Sequence, residues 1–434
     1  MGRARRIAAI AAALVAASVG LAGSAHGTGS LPLVGANYEW FALDSSCDLN
    51  GRGIVRDGAD HRPLIVQQLA AMRASGIQSL RLIVWHMHDA TGQQWGVVDS
   101  ADGRLAPSAR RNLTWFAQQV RQDGFKELDI AFSPQWTNSP YPASNYDSSL
   151  FDENWHFIQD VRAVVKRNGP SVTHFDLLNE GSPSHYLPTV DQVALANYIE
   201  QLYTDYVRAY GNDDVTISSI VDGGSERIAY LVDLLRATGE PLPRWFEVHT
   251  ASSDILADLR AVDAQLSSDG LGQPINLGET YYDDAQAAAA VASFVGTATR
   301  GITEAGPWPF RRGAACSAGV SPPYQARQLI QALTGAAPSS TLTAAAATGA
   351  LSVKTPSGGP ATAIEAGDWT IAVTVLDTHT QFSLRGPGVD LTTAPGFTGT
   401  VQWPVTLVPG TYSYRRTGRP GWGRNGTFTV LAPG

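Results

Sequence analysis

The sequence predicts an α/β protein in which strands and helices alternate over the first three quarters of the chain, followed by a small all-β domain. Eight short apolar runs occur before residue 335, and helical patterns lie between most of them. Beyond residue 350, apolar residues recur at every second position instead. Alternation of strand and helix indicates a parallel sheet, and a period of two indicates antiparallel strands with one buried face. Eight units fit a closed (β/α)8 TIM barrel better than an open doubly wound sheet, and no glycine-rich phosphate loop follows any strand.

The predicted barrel elements follow from these patterns. The strands are predicted at 33–38, 79–85, 128–132, 175–178, 215–217, 245–249, 274–279 and 301–303. Helices are predicted at 65–72, 108–122, 151–165, 195–206, 253–266 and 285–295. In the clearest helix, Phe151, Trp155, Ile158, Val161 and Val165 form a stripe that faces the core.

The N-terminal segment predicts export. Arg5 and Arg6 precede an apolar run that starts at Ile7, and residues 23–25 are small, so residues 1–25 have the form of a secretory signal peptide. The apolar run is short for a membrane span. We therefore expect a secreted, extracellular protein with no membrane contact after signal removal, and we expect a monomer. The formal charge of −8 argues against a nucleic-acid partner, which requires a basic face.

The remaining chain divides by composition. Residues 26–335 are the predicted barrel, 336–348 a linker or short helix, and 349–434 a β-sandwich. The last strands of this sandwich resemble those of a cupredoxin-like or immunoglobulin-like module. Because its one histidine is His379 and it lacks Cys and Met, a blue-copper site is excluded. A carbohydrate-binding role and a packing or spacer role both remain open for this domain.

Two glutamates end two predicted strands. Asn179-Glu180 follows the fourth strand, and Glu279 ends the seventh. The carboxyl ends of barrel strands are where such folds place their chemistry, and Glu is seldom buried without a partner. A strand end that simply meets water is the alternative. Two carboxylates across a cleft are what glycoside hydrolysis requires.

In this pattern, residues 31–335 resemble the retaining glycoside hydrolases of clan A, nearest to the cellulase-like family 5 and neighbouring families. The resemblance implies that Glu180 is the acid/base, that Glu279 is the nucleophile and that Asn179 binds the sugar 2-hydroxyl. It implies double displacement on a β-linked oligo- or polysaccharide, with no metal or cofactor required. The sequence departs from many relatives after the pair, where Gly181-Ser182-Pro183 stands, so family and substrate stay open.

Further residues follow from the same resemblance. Arg81 in the second strand matches an arginine beside the nucleophile, and His249, at the end of the sixth strand, matches a residue that orients it. Arg81 could instead point to the surface, and His249 could be structural. The acid must hold its proton near working pH, which requires a raised pKa, whereas the nucleophile must stay ionised. Glu247 and Glu304 lie inside strands, where structural ion pairs are the expected role.

Aromatic residues form the other signal. Trp136, Trp308, Trp40 and Tyr281 each follow a predicted strand. Aromatic rings supply stiff apolar surfaces on which sugar rings stack, so we expect these four to bind substrate. The resemblance supports Trp308 most, because clan members commonly have a tryptophan after the eighth strand.

The two cysteines are expected to form a disulfide. Cys47 follows the first predicted strand and Cys316 the eighth. These strands are neighbours in a closed barrel, and an exported protein meets an oxidising environment.

Two other functions are compatible with the same residues. One is a non-catalytic carbohydrate-binding barrel in which the glutamates only bind sugar. The other is a transglycosylase on the same scaffold.

Overall fold

The computed structural model describes residues 32–41, 52–93, 95–221, 224–250, 252–280, 284–308, 327–334, 341–347, 350–355, 359–417 and 425–431. The predicted signal peptide, Cys47, Cys316 and Tyr281 lie outside the described residues. Within the described ranges, no helix is both long and apolar enough to cross a membrane.

The first part of the chain alternates strands and helices, as predicted. Its strands are β1 (Leu33–Val34), β2 (Ser79–Met87), β3 (Val98–Asp99), β4 (Glu127–Pro134), β5 (Val172–Asp176), β6 (Val215–Thr216), β7 (Ser219–Ile220), β8 (Phe246–His249), β9 (Ile275–Thr280) and β10 (Ile302–Pro307). Its helices are α1 (Ile54–Asp57), α2 (Arg62–Ser75), α3 (Pro107–Gln122), α4 (Phe151–Asn168), α5 (Thr189–Tyr210), α6 (Glu226–Ala237), α7 (Ile255–Ser268), α8 (Asp284–Thr297) and α9 (Arg327–Thr334).

These strands form two parallel sheets, in the orders β1-β10-β9-β8-β7 and β3-β2-β4-β5-β6. The sheets adjoin twice. The segment after β1 meets β2 through a parallel bridge between Asn37 and Arg81, in which the Tyr38 N–H donates to the Arg81 carbonyl at 2.8 Å. Strands β6 and β7 follow one another along the chain with only residues 217–218 between them. The arrangement is therefore TIM-barrel-like.

Local sequence accounts for the helix boundaries. Helix α2 ends at Gly76, whose φ of 103° is a left-handed conformation that glycine adopts without steric penalty. Helix α4 carries Asp152 and Glu153 in its first turn and Lys166 and Arg167 in its last, which complements the helix dipole at both ends. Strand β4 is buried along its whole length, as expected for a parallel strand covered on both faces.

The second part is all β. Its strands are β11 (Thr341–Ala347), β12 (Ala350–Lys354), β13 (Ala363–Glu365), β14 (Gly367–Val375), β15 (Gln381–Gly386), β16 (Val389–Thr392), β17 (Gly399–Leu407), β18 (Gly410–Thr417) and β19 (Asn425–Leu431). They form a four-stranded sheet, β12-β11-β14-β17, and a five-stranded sheet, β13-β19-β18-β15-β16. Residues from both sheets share one hydrophobic core that includes Val373, Phe382 and Tyr412.

The prediction of a linker or short helix over 336–348 is wrong for residues 341–347, which are strand β11. This strand pairs with β14 in parallel and with β12 antiparallel. Leu342, Ala344 and Ala346 alternate as buried residues along it. Alanine is too small and too helix-compatible for this period of two to stand out in the sequence.

The close packing at Gly278 generates a stability prediction. A side chain at Gly278 would overlap the buried carboxylate of Glu247. We therefore expect Gly278→Ala to destabilise the protein by about 1–3 kcal/mol, the usual effect of overpacking, with a lower Tm in thermal denaturation. Gly301→Ala is the matched control, because a Cβ there meets nothing within 4 Å. Equal Tm values for the two variants would contradict the packing argument.

Candidate active site

The side chain of Arg81 lies at the centre of a buried polar cluster. Arg81 is 1% exposed, and its guanidinium uses all five N–H donors. The acceptors are oxygens of Glu247, Glu279, Asn37, Asp176 and Asn179. These residues come from four strands or strand ends, β1, β5, β8 and β9, so the guanidinium fixes the relative positions of side chains that are distant in sequence.

The distances in this cluster are those of strong charge-assisted hydrogen bonds. Nη1 of Arg81 donates to Oε1 of Glu279 at 2.7 Å, and Nε donates to Oε1 of Glu247 at 2.8 Å. Nη2 donates to Oδ2 of Asp176 at 2.9 Å and to Oδ1 of Asn179 at 2.7 Å. The alternative of a surface-pointing Arg81 is therefore wrong, and Glu247 forms the structural ion pair expected of it.

The structure brings the two predicted glutamates together. Carboxylate oxygens of Glu180 and Glu279 and a ring nitrogen of His249 all lie within 4.8 Å of one another. Nδ1 of His249 is 3.3 Å from Oε1 of Glu180 and 3.6 Å from Oε1 of Glu279. The same ring nitrogen of His249 thus lies near both carboxylates, and His249 shares one side of β8 with Glu247 because side chains alternate along a strand.

Glu180 has an unusual backbone conformation. Its φ is +53°, which is uncommon for a residue other than glycine. Its N–H donates to Oγ of Ser218 at 2.7 Å, and the N–H of Ser218 donates to Oδ1 of Asp176 at 2.9 Å. Such strained residues cluster at functional sites and persist only where surrounding contacts hold them. Here the contacts with Ser218 hold the end of the Asn179-Glu180 segment in place.

The surroundings of His249 favour its protonated form. Burial acts to lower its pKa, but the charge of Glu279 and the hydrogen bonds with Glu180 and Glu247 raise the pKa to about 10. Nε2 of His249 lies 3.3 Å from Oε1 of Glu247. The protonated ring has an N–H on each nitrogen, so it can donate toward Glu247 on one side and toward Glu180 on the other.

The pKa directions of the two glutamates differ from the sequence prediction. Burial acts to raise the pKa of Glu180, but the hydrogen bond and charge of His249, together with Arg81 and Arg227, lower it. Burial raises the pKa of Glu279, and the charges of His249 and Arg81 oppose that rise. The prediction of a raised pKa at Glu180 is therefore wrong, because His249 is directly hydrogen-bonded to Glu180.

Other acids near the cluster hold protons more strongly than usual. Burial and the charge of Glu247 raise the pKa of Asp176 to about 6 and that of Asp129 well above its ordinary range. Glu39 follows β1 and is 2% exposed, and neither carboxyl oxygen has a hydrogen-bond partner among the described residues. Burial raises the pKa of Glu39 to about 8.

The cluster contains two groups of potential metal ligands. One is Asp176, Glu247 and His249, and the other is Glu180, His249 and Glu279. Both groups share His249, which cannot ligate a metal while it carries both protons. The oxygens of Asp176, Glu247 and Glu279 already accept from Arg81. A metal ion would have to compete with this guanidinium for them.

The predicted aromatic residues fall in two places. Trp40 is 7% exposed, stacks on Trp85 with ring centroids 5.9 Å apart and meets Trp308 edge-on at 6.1 Å. Trp136, by contrast, is 59% exposed and lines a cavity of about 540 Å³ with Trp85. Trp40 is therefore a packing partner for Trp85 and Trp308, whereas Trp136 presents an open ring face.

The cavity lies beside Glu180. Asn179, Glu180 and Arg227 are among its lining residues, and Glu279 is not.

Sequence reasoning missed Trp85, Asn37, Asp176, Glu39 and Arg227. Arg81, Ile83 and Trp85 are alternate residues of β2 and therefore share one face of the strand. This alternation is the signal by which Trp85 could have been found. Glu304, expected in an ion pair, instead accepts a hydrogen bond from Ser79.

Comparison with known proteins gives weak similarities. No protein-family model matches the sequence, and no curated protein matches it. The chain is similar to a solved glycosyl hydrolase family 2 member from Bacteroides cellulosilyticus DSM 14838, at 14% identity and a TM-score of 0.42, over 93% of this chain and 47% of that one. It is also similar to β-glucuronidase 3 of Bacteroides uniformis, at 10% identity and a TM-score of 0.41, over 93% of this chain and 50% of that one.

A third similar structure is a GH113 β-1,4-mannanase, at 11% identity and a TM-score of 0.43, covering 70% of this chain and 99% of that one. The chain thus spans about half the length of the first two structures. All three are named as glycoside hydrolases. At these TM-scores the similarity assigns no function.

The unpartnered Glu39 generates a pH prediction. The folded protein holds the Glu39 proton up to about pH 8, whereas an unfolded chain releases it near the ordinary value of 4.5. Folding stability should therefore fall as the pH rises from 4.5 to 8, by up to about 1.4 kcal/mol per pH unit from this group. Gln is isosteric with the neutral acid, so we expect Glu39→Gln to fold and to lose less stability over that interval. Tm measured from pH 5 to 8 tests this, and parallel pH profiles for the variant and the parent would contradict it.

Proposed function

We propose that this protein is a retaining β-glycoside hydrolase in which Glu279 is the nucleophile and Glu180 the acid/base. The observation that carries the proposal is the approach of the two carboxylates to within 4.8 Å around His249, each delivered by a different strand end. In retaining enzymes the two carboxyl groups are about 5–5.5 Å apart, and in inverting enzymes about 6.5–9.5 Å apart, to leave room for water. The short approach supports the retaining mechanism.

The contacts of Glu279 support its role as nucleophile. Its side chain is 13% exposed and accepts the 2.7 Å hydrogen bond from Arg81. This bond fixes one oxygen and, with the charge of His249, stabilises the carboxylate as it attacks the anomeric carbon. In the first step the bond between Glu279 and the sugar forms as the bond to the leaving group breaks.

The position of Glu180 supports its role as acid/base. Its side chain is 38% exposed, more than that of Glu279, and it faces the cavity. A leaving group that covers Glu180 would exclude water, and this burial raises the pKa of a carboxyl group. Substrate binding would therefore help Glu180 to take up the proton that it gives to the leaving oxygen. In the second step the same carboxylate removes a proton from the water that attacks the anomeric carbon.

Asn179 and His249 are proposed to act on the sugar and on the pair. Oδ1 of Asn179 accepts from Arg81 at 2.7 Å, which leaves its NH₂ group as a donor toward the 2-hydroxyl, an interaction that strengthens in the transition state. His249, between the two acids, would stabilise whichever carboxylate carries the charge at each step.

The remaining sequence predictions are part of the same proposal. They are a (β/α)8 barrel closed at the β1–β2 and β6–β7 junctions, kinship with clan A near family 5, export by residues 1–25 and a disulfide between Cys47 and Cys316. The backbone hydrogen bonds between β1 and β2 support the closure. The substrate is proposed to be a β-linked oligo- or polysaccharide, with Trp136 and Trp308 contacting sugar.

The test is activity on a panel of β-glucans, mannans, xylans and aryl β-glycosides. We expect reducing-sugar release by the parent and none above background by Glu279→Ala, which should still bind sugar. Glu180→Ala should slow hydrolysis of substrates with poor leaving groups by about 10²–10⁴-fold, and aryl glycosides with acidic phenols should be affected much less, because such leaving groups need little protonation.

The double variant lacking both carboxylates is the decisive control. Activity equal to that of the parent would overturn the assignment. Sugar binding without turnover by the parent would favour the non-catalytic barrel, and transfer of the sugar to another sugar in place of water would favour the transglycosylase.

A further inference from the structure

The cavity next to Glu180 lies on the leaving-group side of the site, and this inference rests on the proposed function. An acid that protonates the leaving oxygen must contact the leaving group. The cavity has Glu180 in its wall and not Glu279. Its volume of about 540 Å³ falls in the range of ordinary small-molecule sites, about 300–1,000 Å³.

Two aromatic residues line this cavity, and one of them has a strained backbone conformation. Trp136 is 59% exposed and Tyr141 is 47% exposed, and both line the cavity, so both rings are accessible to a ligand. Trp136 has a φ of +50°, a rare conformation for a bulky side chain. The adjoining residue Asn138 is fully buried and hydrogen-bonded to Asn154 at 2.8 Å. The contacts of Asn138 thus fix the segment that carries Trp136, so that Trp136 keeps an unfavourable backbone conformation. Residues with such conformations are often functional.

Arg227 supplies a positive charge in the same cavity. Arg227 and Glu180 are the two charged residues among those that line it. Nη1 of Arg227 donates to the Ser182 carbonyl at 3.1 Å, which positions the guanidinium. Among the described residues no carboxylate forms a salt bridge with it, in contrast to Arg81, whose five donors are all used. Arg227 therefore keeps donors for a ligand, and the planar guanidinium matches a carboxylate in two parallel hydrogen bonds.

We propose that this cavity binds a leaving group that carries a carboxylate, with its ring against Trp136 and Tyr141 and its carboxylate on Arg227. The ring could belong to an acidic sugar or to an aromatic acid, because both present a flat or apolar face and a carboxylate. The enzyme would then select glycosides by the charge of the part that it releases.

The experiment compares 4-carboxyphenyl and 4-carbamoylphenyl β-glycosides of the sugar that the parent enzyme hydrolyses fastest. The two leaving groups differ by one charge and have nearly the same shape. We expect the parent to have a KM about tenfold or more lower for the carboxylate, the effect of a charge-assisted hydrogen bond. Arg227→Gln should remove this preference and Arg227→Lys should keep part of it.

Two features make the comparison specific. Arg227 also lowers the pKa of Glu180, but both substrates use the same acid, so that effect cancels in the ratio of their KM values. Trp136→Ala is the matched control, because loss of a stacking surface should raise KM for both substrates by the same factor and leave the preference unchanged.

Inhibition identifies the source of the carboxylate. With a 2,4-dinitrophenyl β-glycoside as substrate, stronger inhibition by glucuronate than by glucose would indicate an acidic sugar. Stronger inhibition by 4-hydroxybenzoate than by 4-hydroxybenzamide would indicate an aromatic acid. Either result supports the proposal.

Equal KM values for the two aryl glycosides in the parent, or an equal change for both in Arg227→Gln, would overturn this inference and leave the glycosidase proposal standing. Absence of hydrolysis of every glycoside in the panel would overturn the proposed function, and this inference with it.

Discussion

The buried guanidinium of Arg81 is the interaction on which the site depends. Its guanidinium forms ion pairs with four carboxylates, and the shortest nitrogen–oxygen distance is 2.7 Å. The four are those of Asp129, Asp176, Glu247 and Glu279. Breaking a buried pair of this kind leaves an uncompensated charge, which is far more destabilising than the loss of an exposed pair. Arg81 also bonds the side chains of Asn37 and Asn179. The same group therefore fixes charge and geometry together.

The acids around Arg81 outnumber the cations, and this excess has a chemical consequence. With Arg81 and His249 positive, the cluster cannot hold every carboxylate ionised, so Asp176 and Asp129 take raised pKa values through burial and the charge of Glu247. Both carboxyl groups lie against Arg81 and bind protons more strongly than ordinary carboxyl groups do. A sugar that enters this site displaces water, and the resulting desolvation raises the pKa of nearby carboxyl groups. A glutamate whose pKa is lowered in the free protein can therefore act as an acid in the complex.

The convergence of the two glutamates could be predicted because strand ends in a parallel α/β unit meet at one edge. The position of Glu180 and Glu279 at the ends of apolar runs was sufficient for this prediction. Their pKa directions could not be predicted, because these depend on His249 lying 3.3 Å from Glu180, a contact between residues 69 positions apart. The stacking of Trp40 on Trp85 could not be predicted either, since sequence position after a strand does not determine which way a ring turns, and sugar binding by Trp40 stays a prediction. Strand β11 escaped prediction because alternating alanines carry little contrast between buried and exposed positions.

Covalent trapping tests most directly which of the two glutamates is the nucleophile. A 2,4-dinitrophenyl 2-deoxy-2-fluoro-β-glycoside slows the second step more than the first, so the sugar stays bonded to the nucleophile and can be located by mass spectrometry of the digested protein. We expect one label per chain, on the peptide that contains Glu279. A label on Glu180, or turnover of normal substrates with inversion at the anomeric carbon and no label, would contradict it.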